Sequence, residues 1–170
     1  LGWIGKHSNL LNQSKGSYFF IGELIIDLPL APDSPVADHC GSCTRCIDAC
    51  PTDAIYEPYA VDATKCISYL TIEHDGDDIP EELQPDMGNW IFGCDICQQV
   101  CPWNKFKKPT DEENYEPKEG MRDTAIREWM ELDVEAFRER FKDHPIGRTG
   151  YDNFRRNLRI AAENAATESG

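Results

Sequence analysis

The pattern of apolar and polar positions divides this chain into three regions, which are residues 1–38, 39–104 and 105–170. In the first region, residues 17–28 are rich in aromatic and β-branched side chains and favour a buried β-strand, with Gly22 as a bend. The prolines that follow predict an extended linker. Because a strand is not stable without partners, we expect this region to complete a larger sheet that begins upstream of Leu1.

The third region has apolar residues at helical spacing and is predicted to be a helical segment. Residues 123–130 and 133–141 each favour a helix, the second with Asp133 as its N-cap, and Pro145 ends that pattern. Residues 152–166 predict a last helix. Its core stripe is expected to consist of Phe154, Leu158 and Ala161 or Ala162.

The middle region is dominated by cysteines, and its short apolar runs predict short helices. We expect helices after Cys43 and Cys97, and a further helix over residues 66–73. All eight cysteines of the chain stand in this region: Cys40, Cys43, Cys46, Cys50, Cys66, Cys94, Cys97 and Cys101. The candidate chemistry of the chain therefore lies here.

The spacing of the first four cysteines is the one with which bacterial ferredoxins hold iron–sulfur clusters. In two-cluster ferredoxins the fourth cysteine of a run ligates the other cluster, which predicts one [4Fe–4S] cluster on Cys40, Cys43, Cys46 and Cys101. The second run aligns with the first but has Ile91 at its first ligand position, and Cys66 is the remaining thiol. The second cluster is therefore predicted on Cys50, Cys66, Cys94 and Cys97.

Two other uses of the cysteines fit less well. A disulfide framework suits an even number of cysteines but is typical of small secreted chains, and no signal peptide or long apolar run is visible. Zinc sites favour pairs of ligands that are separated by a longer loop, often with histidine among them. The sequence thus favours clusters over both alternatives.

The chain is strongly acidic, with 31 Asp and Glu residues against 17 Lys and Arg residues and a formal net charge of −14. This excess argues against indiscriminate binding of polyanions, so any nucleic-acid contact must be local or must be built with parts outside residues 1–170. Two basic clusters are candidates for it. The lysine patch consists of Lys105, Lys107 and Lys108 around Phe106, and the arginine face consists of Arg155, Arg156 and Arg159.

Five strings of residues around and between the cysteines resemble one family, the epoxyqueuosine reductases. These strings are residues 1–6 (LGWIGK), 16–23 (GSYFFIGE), 66–73 (CISYLTIE), 88–98 (GNWIFGCDICQ) and 101–104 (CPWN). The resemblance is strong over residues 1–104, weakens across the acidic residues 110–119 and returns at residues 154–158. It therefore covers nearly the whole chain.

The resemblance implies a reductase that uses cobalamin and two [4Fe–4S] clusters to convert epoxyqueuosine to queuosine in the anticodon loop of tRNA. It implies an α+β fold, in which a two-cluster ferredoxin-like module is joined to the end of a cobalamin-binding α/β domain and to a C-terminal helical segment. An external low-potential electron donor, a cytoplasmic location, no membrane contact and a monomer are expected with it.

The resemblance also implies roles for individual residues. Lys6, His7 and Ile21 are expected on the corrin side, and Ser68 and Asp95 beside the cluster ligands, where they could touch the cofactor. The proton-donating Asp of that family lies upstream of the LGWIGK string. We therefore expect no catalytic residue within residues 1–170 and no complete reaction by this chain alone.

Two alternatives from other classes remain open on the sequence. A reductive dehalogenase also couples cobalamin to two clusters, but residues 66–73 and the position of Cys66 favour the epoxyqueuosine reductases. A dicluster ferredoxin only carries electrons and has no need of residues 1–38 and 105–170. Binding of cobalamin separates the carrier from both enzymes.

Overall fold

The structure, a computed structural model, describes residues 1–76 and 78–168 of the chain. Its α-helices, in chain order, are α1 Arg45–Asp48, α2 Ile67–Ile72, α3 Ile96–Gln99, α4 Ile126–Met130, α5 Val134–Arg140, α6 Pro145–Thr149 and α7 Tyr151–Glu168. Short 3-10 helices cover Ala63–Lys65, Pro85–Met87, Pro102–Phe106 and Glu113–Tyr115. Within the described residues, no helix combines the length and the apolarity that a bilayer crossing requires.

The chain forms two compact units. The first unit consists of Leu1–Cys50, Ile55–Val61 and Ile96–Pro109, and the second unit consists of Pro51–Ala54, Asp62–Asp95 and Thr110–Gly170. The cysteine region therefore contributes residues to both units, and the C-terminal helices belong to the second.

A small hairpin opens the first unit, and the sequence did not predict it. Strands β1 (Trp3–Ile4) and β2 (Leu10–Leu11) are antiparallel, with Trp3 opposite Leu11. Both of these side chains are buried, and Leu11 is completely so. The strands are only two residues long, which is too short for an alternating pattern to be recognised in the sequence.

The prediction of a buried strand over residues 17–28 is wrong for the described chain. These residues form no strand there, and the apolar side chains of residues 20–28 are exposed, with Leu24 at 92% and Ile25 at 101% relative exposure. A strand needs hydrogen bonds from a neighbouring strand, and the sheet of the described residues consists of β1 and β2 and does not include this segment. The composition of the segment therefore did not suffice to fix its conformation.

Short helices flank the cysteines of the first unit, as predicted. α1 begins two residues after Cys43 and carries Cys46, whereas α3 begins one residue before Cys97 and includes it. The two helices lie in contact with each other. The predicted helix near Cys97 is therefore present, but it begins two residues earlier than predicted.

The second unit is built around α7, which confirms the last predicted helix and extends it slightly. Phe154, Leu158 and Ala161 are buried on it, whereas Ala162 is half-buried. One apolar cluster on α7 contains Trp129, Phe137, Phe141, Ile146, Phe154 and Leu158, and the other contains Ile67, Leu70, Ile79, Met87 and Ile160. The amphipathic pattern of α7 therefore organises both cores of this unit.

The other helix predictions hold with small corrections. α2 confirms the helix of residues 66–73, and α5 begins as predicted because the Asp133 carboxylate accepts the amide of Ala136 at 2.8 Å. α4 is shorter than the predicted residues 123–130. Pro145 ends the preceding pattern but also begins α6, which the sequence analysis missed.

Candidate metal centre

A cavity of about 270 Å³ in the first unit is lined by four thiols. They are Cys40, Cys43, Cys46 and Cys101, which are the four residues that the sequence assigns to one cluster. Cys46 is buried and the other three are half-buried. The structure thus brings together residues that are as far apart as positions 40 and 101.

Local backbone structure presents these thiols to the cavity. The amide of Cys43 donates to the carbonyl of Cys40 at 3.1 Å, which closes a tight turn between the first two. Cys46 follows within α1, where it is the buried residue of that helix. Cys101 immediately precedes the 3-10 helix Pro102–Phe106, which is held to it by the amide of Asn104 at 3.0 Å from the Cys101 carbonyl.

The thiols of the cavity are partly withdrawn from solvent. Burial raises the pKa of the Cys46 thiol and that of the Cys101 thiol. A metal centre binds thiolates and releases their protons, so its charge offsets the cost of ionising these groups in the interior. This donor set fits an iron–sulfur cluster, which is held by four thiolates.

Lys6 is buried beside the cavity and is bonded to the loop that bears two of the thiols. Its Nζ atom donates to the carbonyl of Gly41 at 2.7 Å and to that of Cys43 at 3.0 Å. The side chain retains 9% of its exposure. A lysine is normally a solvated charge, so its burial here needs a local cause.

His7 also lines the cavity, and one of its ring nitrogens has no partner among the described residues. Nδ1 accepts the amide of Asn9 at 3.1 Å, so the proton of the neutral ring belongs on Nε2. Burial lowers the pKa of His7 and favours that neutral form. Nε2 is shielded from solvent, and no described group accepts a hydrogen bond from it. The sulfur atoms of a cluster are acceptors for such a donor, which is a second feature that fits one.

Aromatic rings form one wall of the cavity. Trp3 lies 4.9 Å from His39 and 5.1 Å from Trp103, and Trp103 lies 5.9 Å from Phe106, all between ring centroids. His39, Trp103 and Phe106 line the cavity themselves. The sequence gives no sign of a role for these rings. These rings shield one side of the cavity, in which three of the four thiols stay half-buried, and solvent exposure is one of the quantities that set the potential of a cluster.

Asn104 lies in the 3-10 helix that follows Cys101 and forms a hydrogen bond with Ser17, at the start of residues 17–28. It is buried, its Oδ1 accepts the amide of Ser17 at 2.7 Å, and its Nδ2 donates to the carbonyl of Gln98 at 2.6 Å. Gly16 has a φ of +73°, and a Cβ there would collide with the Asn104 side chain. The CPWN string was noticed for its resemblance, but the structural role of its Asn was missed.

The remaining four cysteines are all half-buried. Cys50 and Cys97 belong to the first unit, and Cys66 and Cys94 belong to the second. Cys66 precedes α2 and its carbonyl accepts the amide of Leu70 at 2.9 Å. No disulfide joins any of the eight cysteines, all of which lie in the described part of the chain.

The residues that the resemblance implies for cobalamin lie in different settings. Ile21 is 60% exposed and does not belong to the core. Ser68 is half-buried within α2, and Asp95 is half-buried just before α3. Lys6 and His7 line the cysteine cavity instead of lying on the surface. Their contacts with a corrin stay a prediction.

The two basic clusters differ in their exposure to solvent and in their contacts. Lys105, Lys107 and Lys108 of the lysine patch are exposed. The Nζ atom of Lys105 lies 4.8 Å from the ring centroid of Phe106, and that of Lys107 lies 5.0 Å from that of Tyr18. This patch presents positive charge together with aromatic rings, as single-stranded nucleic-acid surfaces do.

The guanidinium groups of the arginine face have partners within the second unit, which argues against the prediction that this face contacts nucleic acid. Arg156 donates to the carbonyls of Leu70 and His74 at 3.0 and 3.3 Å. Arg159 pairs with Asp78 at 2.7 Å. The third member, Arg155, donates to the carbonyl of Met130. These guanidinium groups satisfy backbone carbonyls and carboxylates, which the sequence could not show.

A family model for a 4Fe-4S double cluster binding domain matches residues 39–104. These are the boundaries that the sequence analysis gave to the cysteine module. This match supports the prediction that the cysteine module binds iron–sulfur clusters.

Curated relatives match nearly the whole chain. The epoxyqueuosine reductase of Leadbetterella byssophila is 53% identical over 163 residues, which are 96% of this chain and 53% of that protein. That of Escherichia coli K12 is 48% identical over 165 residues, which are 97% of this chain and 43% of that protein. The chain therefore spans about half the length of the curated relatives that it matches.

Solved structures share the fold. An epoxyqueuosine reductase from Bacillus subtilis, with its catalytic loop swung out of the active site, matches with a TM-score of 0.89 at 34% identity, over 99% of this chain and 45% of that one. An epoxyqueuosine reductase with an epoxyqueuosine-modified tyrosine tRNA stem loop matches with a TM-score of 0.88 at 34% identity, over 96% of this chain and 43% of that one.

Proposed function

Because this chain is homologous to the epoxyqueuosine reductases over nearly its whole length, we propose that the whole protein reduces epoxyqueuosine to queuosine in tRNA. The observation that carries the proposal is the cavity lined by Cys40, Cys43, Cys46 and Cys101 within a double-cluster module of this family. An electron-transfer site of this kind is what a reductase requires.

Two clusters are part of the proposal. One is held by the four cavity thiols, and the other is held by Cys50, Cys66, Cys94 and Cys97. When bound, the clusters supply single electrons at low potential. The chain itself holds the thiolates in place, lines the cavity with the rings of Trp103 and Phe106, and satisfies the loop carbonyls with Lys6.

Cobalamin is the proposed second cofactor, and residues 1–38 are proposed to complete the domain that binds it. The exposed apolar side chains of residues 20–28 support this, since such a surface is normally covered by another part of a protein. Ile21 lies in that segment. Ser68, Asp95, Lys6 and His7 are the other candidates for contact with the cofactor, on the strength of the resemblance.

The proposed nucleic-acid partner is the anticodon loop of tRNA. The exposed lysine patch supports this, because its charges can meet phosphates and the neighbouring rings can stack bases. With tRNA as substrate, we place the protein in the cytoplasm as a monomer that receives electrons from an external low-potential donor. Residues 1–170 alone are expected not to complete the reaction, for lack of the proton donor.

Complementation tests the proposal. The full-length gene is expressed in a bacterium that accumulates epoxyqueuosine, and the tRNA nucleosides are measured by mass spectrometry. Queuosine should appear with the wild type and not with a Cys43→Ala variant of equal abundance. Persistent epoxyqueuosine, despite a wild-type protein with both clusters and cobalamin bound, would overturn the function.

A further inference from the structure

Among the described residues, the buried cation of Lys6 has no carboxylate at ion-pair distance. The ion pairs formed by residues 1–76 and 78–168 join arginines to acidic residues of the second unit and do not include Lys6. Its two partners are the neutral carbonyls of Gly41 and Cys43. Burying a charge is costly unless an opposite charge or a full set of hydrogen bonds compensates it. The exposed carboxylate of Asp38 interacts with Lys6 only weakly and forms no ion pair with it. Most of the compensation for this buried charge must therefore come from another negative group near the four thiols.

A cluster bound in the cavity would supply that compensation. Together with four thiolates, an oxidised [4Fe–4S] cluster carries a net charge of about −2, and one-electron reduction makes it more negative. A cation held close by in the interior favours the more negative state, and the low local dielectric strengthens the effect. The charge of Lys6 therefore acts in the direction that raises the reduction potential.

We propose that Lys6 and His7 form a positioning pair for the cluster of Cys40, Cys43, Cys46 and Cys101. Lys6 fixes the loop that carries two of the ligands and raises the potential of the cluster by its charge. His7 raises the reduction potential further, because its Nε2–H group donates a hydrogen bond to a cluster sulfur. This inference rests on the proposed function, since it assumes that the cavity thiols hold a cluster.

The part assigned to His7 follows from its two nitrogens. Nδ1 is occupied as an acceptor by the amide of Asn9, which leaves Nε2 as a donor without a partner among the described residues. A buried donor without an acceptor is rare and destabilising. Hydrogen bonds to cluster sulfurs are a recognised means of raising the potential. The ring lines the same cavity as the thiols, so an acceptor bound there satisfies it.

The test uses the full-length protein, reconstituted anaerobically with iron and sulfide. Three substitutions separate charge from position: Lys6→Met removes the charge, Lys6→Arg keeps it, and Lys15→Met removes an exposed charge from the same unit. The midpoint potential of each cluster is measured by a redox titration followed by electron paramagnetic resonance. The rate of iron loss to a chelator is measured alongside it.

We expect Lys6→Met to shift one cluster to a more negative potential and to speed its loss of iron, while the signal of the other cluster stays constant. Lys6→Arg should retain most of both properties, and Lys15→Met should match the wild type. If Lys6→Met loses that cluster altogether while Lys6→Arg keeps it, the positioning role is supported, and the potential is read from Lys6→Gln. Equal potentials and iron-loss rates in the Met variants at positions 6 and 15 would overturn the role of Lys6.

His7 is tested by a pair of variants that differ in hydrogen-bond donation. His7→Leu should move the same cluster to a more negative potential, and His7→Gln, which keeps an N–H donor, should move it less. Equal potentials in both variants and the wild type would overturn the role of His7. A wild-type protein that binds no iron would instead contradict the proposed function, so the two failures are distinguishable.

Discussion

The side-chain amide of Asn157 donates a hydrogen bond of 2.9 Å to the backbone carbonyl of Thr71, 86 residues earlier in the chain. The same nitrogen donates to the carbonyl of Ile91 at 3.0 Å, and the Thr71 hydroxyl accepts the amide of Gly93 at 3.0 Å. Asn157 is completely buried. This one side chain of α7 therefore joins the helix that follows Cys66 to the segment that precedes Cys94.

Replacing Asn157 by Ala should destabilise the second unit. The change leaves the buried carbonyl of Thr71 and the partly buried carbonyl of Ile91 without this donor, which costs on the order of 2–4 kcal/mol. The measurement is the denaturation midpoint of the iron-loaded full-length protein. Glu163→Ala, on an exposed position of the same helix, is the control and should stay within about 0.5 kcal/mol of the wild type. Equal midpoints for both variants would contradict the role of Asn157.

Cys66 should behave as a cluster ligand. Because Ile91 stands at the aligned ligand position of the second cysteine run, Cys66→Ala should remove or degrade the proposed cluster of Cys50, Cys94 and Cys97. The other cluster should remain, so the iron content should fall toward half of the wild-type value of about eight per chain. Iron analysis and electron paramagnetic resonance report both quantities. Unchanged iron and an unchanged pair of signals would show that the assignment is wrong.

The lysine patch should contribute to tRNA binding and not to cluster assembly. Changing Lys105, Lys107 and Lys108 together to Ala should weaken binding and make its salt dependence shallower, by about 0.7 in the logarithmic slope for each phosphate that the variant no longer neutralises. Filter binding at several salt concentrations measures the slope. The matched control removes three exposed lysines elsewhere, at positions 15, 118 and 142. If both triple variants bind alike, the patch has no specific role.

The stability of the second unit should depend on the protonation of His144. This side chain caps α6, since its Nδ1 accepts the amide of Ile146 at 3.2 Å, and burial, followed by the charge of Lys118, lowers its pKa. The stabilising contribution is therefore present above the unfolded pKa of about 6.5 and is lost as the pH falls through the lower folded value.

His144→Asn keeps a capping acceptor but removes the titration. Denaturation midpoints between about pH 5 and 8 should therefore fall less steeply toward acid in the variant than in the wild type. Full-length protein with both clusters is compared at each pH, and its iron content is checked throughout. An identical pH dependence in both proteins would refute the contribution of His144.

Local sequence patterns determined the parts of this protein that depend on neighbours in the chain. Cysteine spacing predicted the module over residues 39–104, which the family model matches with the same boundaries. Apolar periodicity predicted α7, and Asp133 marked the start of α5, because both signals act within a few helical turns. The resemblance to the epoxyqueuosine reductases was likewise readable from short strings.

Tertiary structure decided whether charged side chains are drawn into the interior and whether an apolar segment forms a strand. Lys6 and Arg156 look like solvated cations in the sequence, yet their carbonyl partners stand 37 and 86 residues away and draw them inward. Residues 17–28 look like a strand, yet they form no strand in the described chain, because a strand requires a second strand beside it. The free energy of a buried charge or of a strand depends on groups that are distant in the sequence, and only the fold brings such groups together.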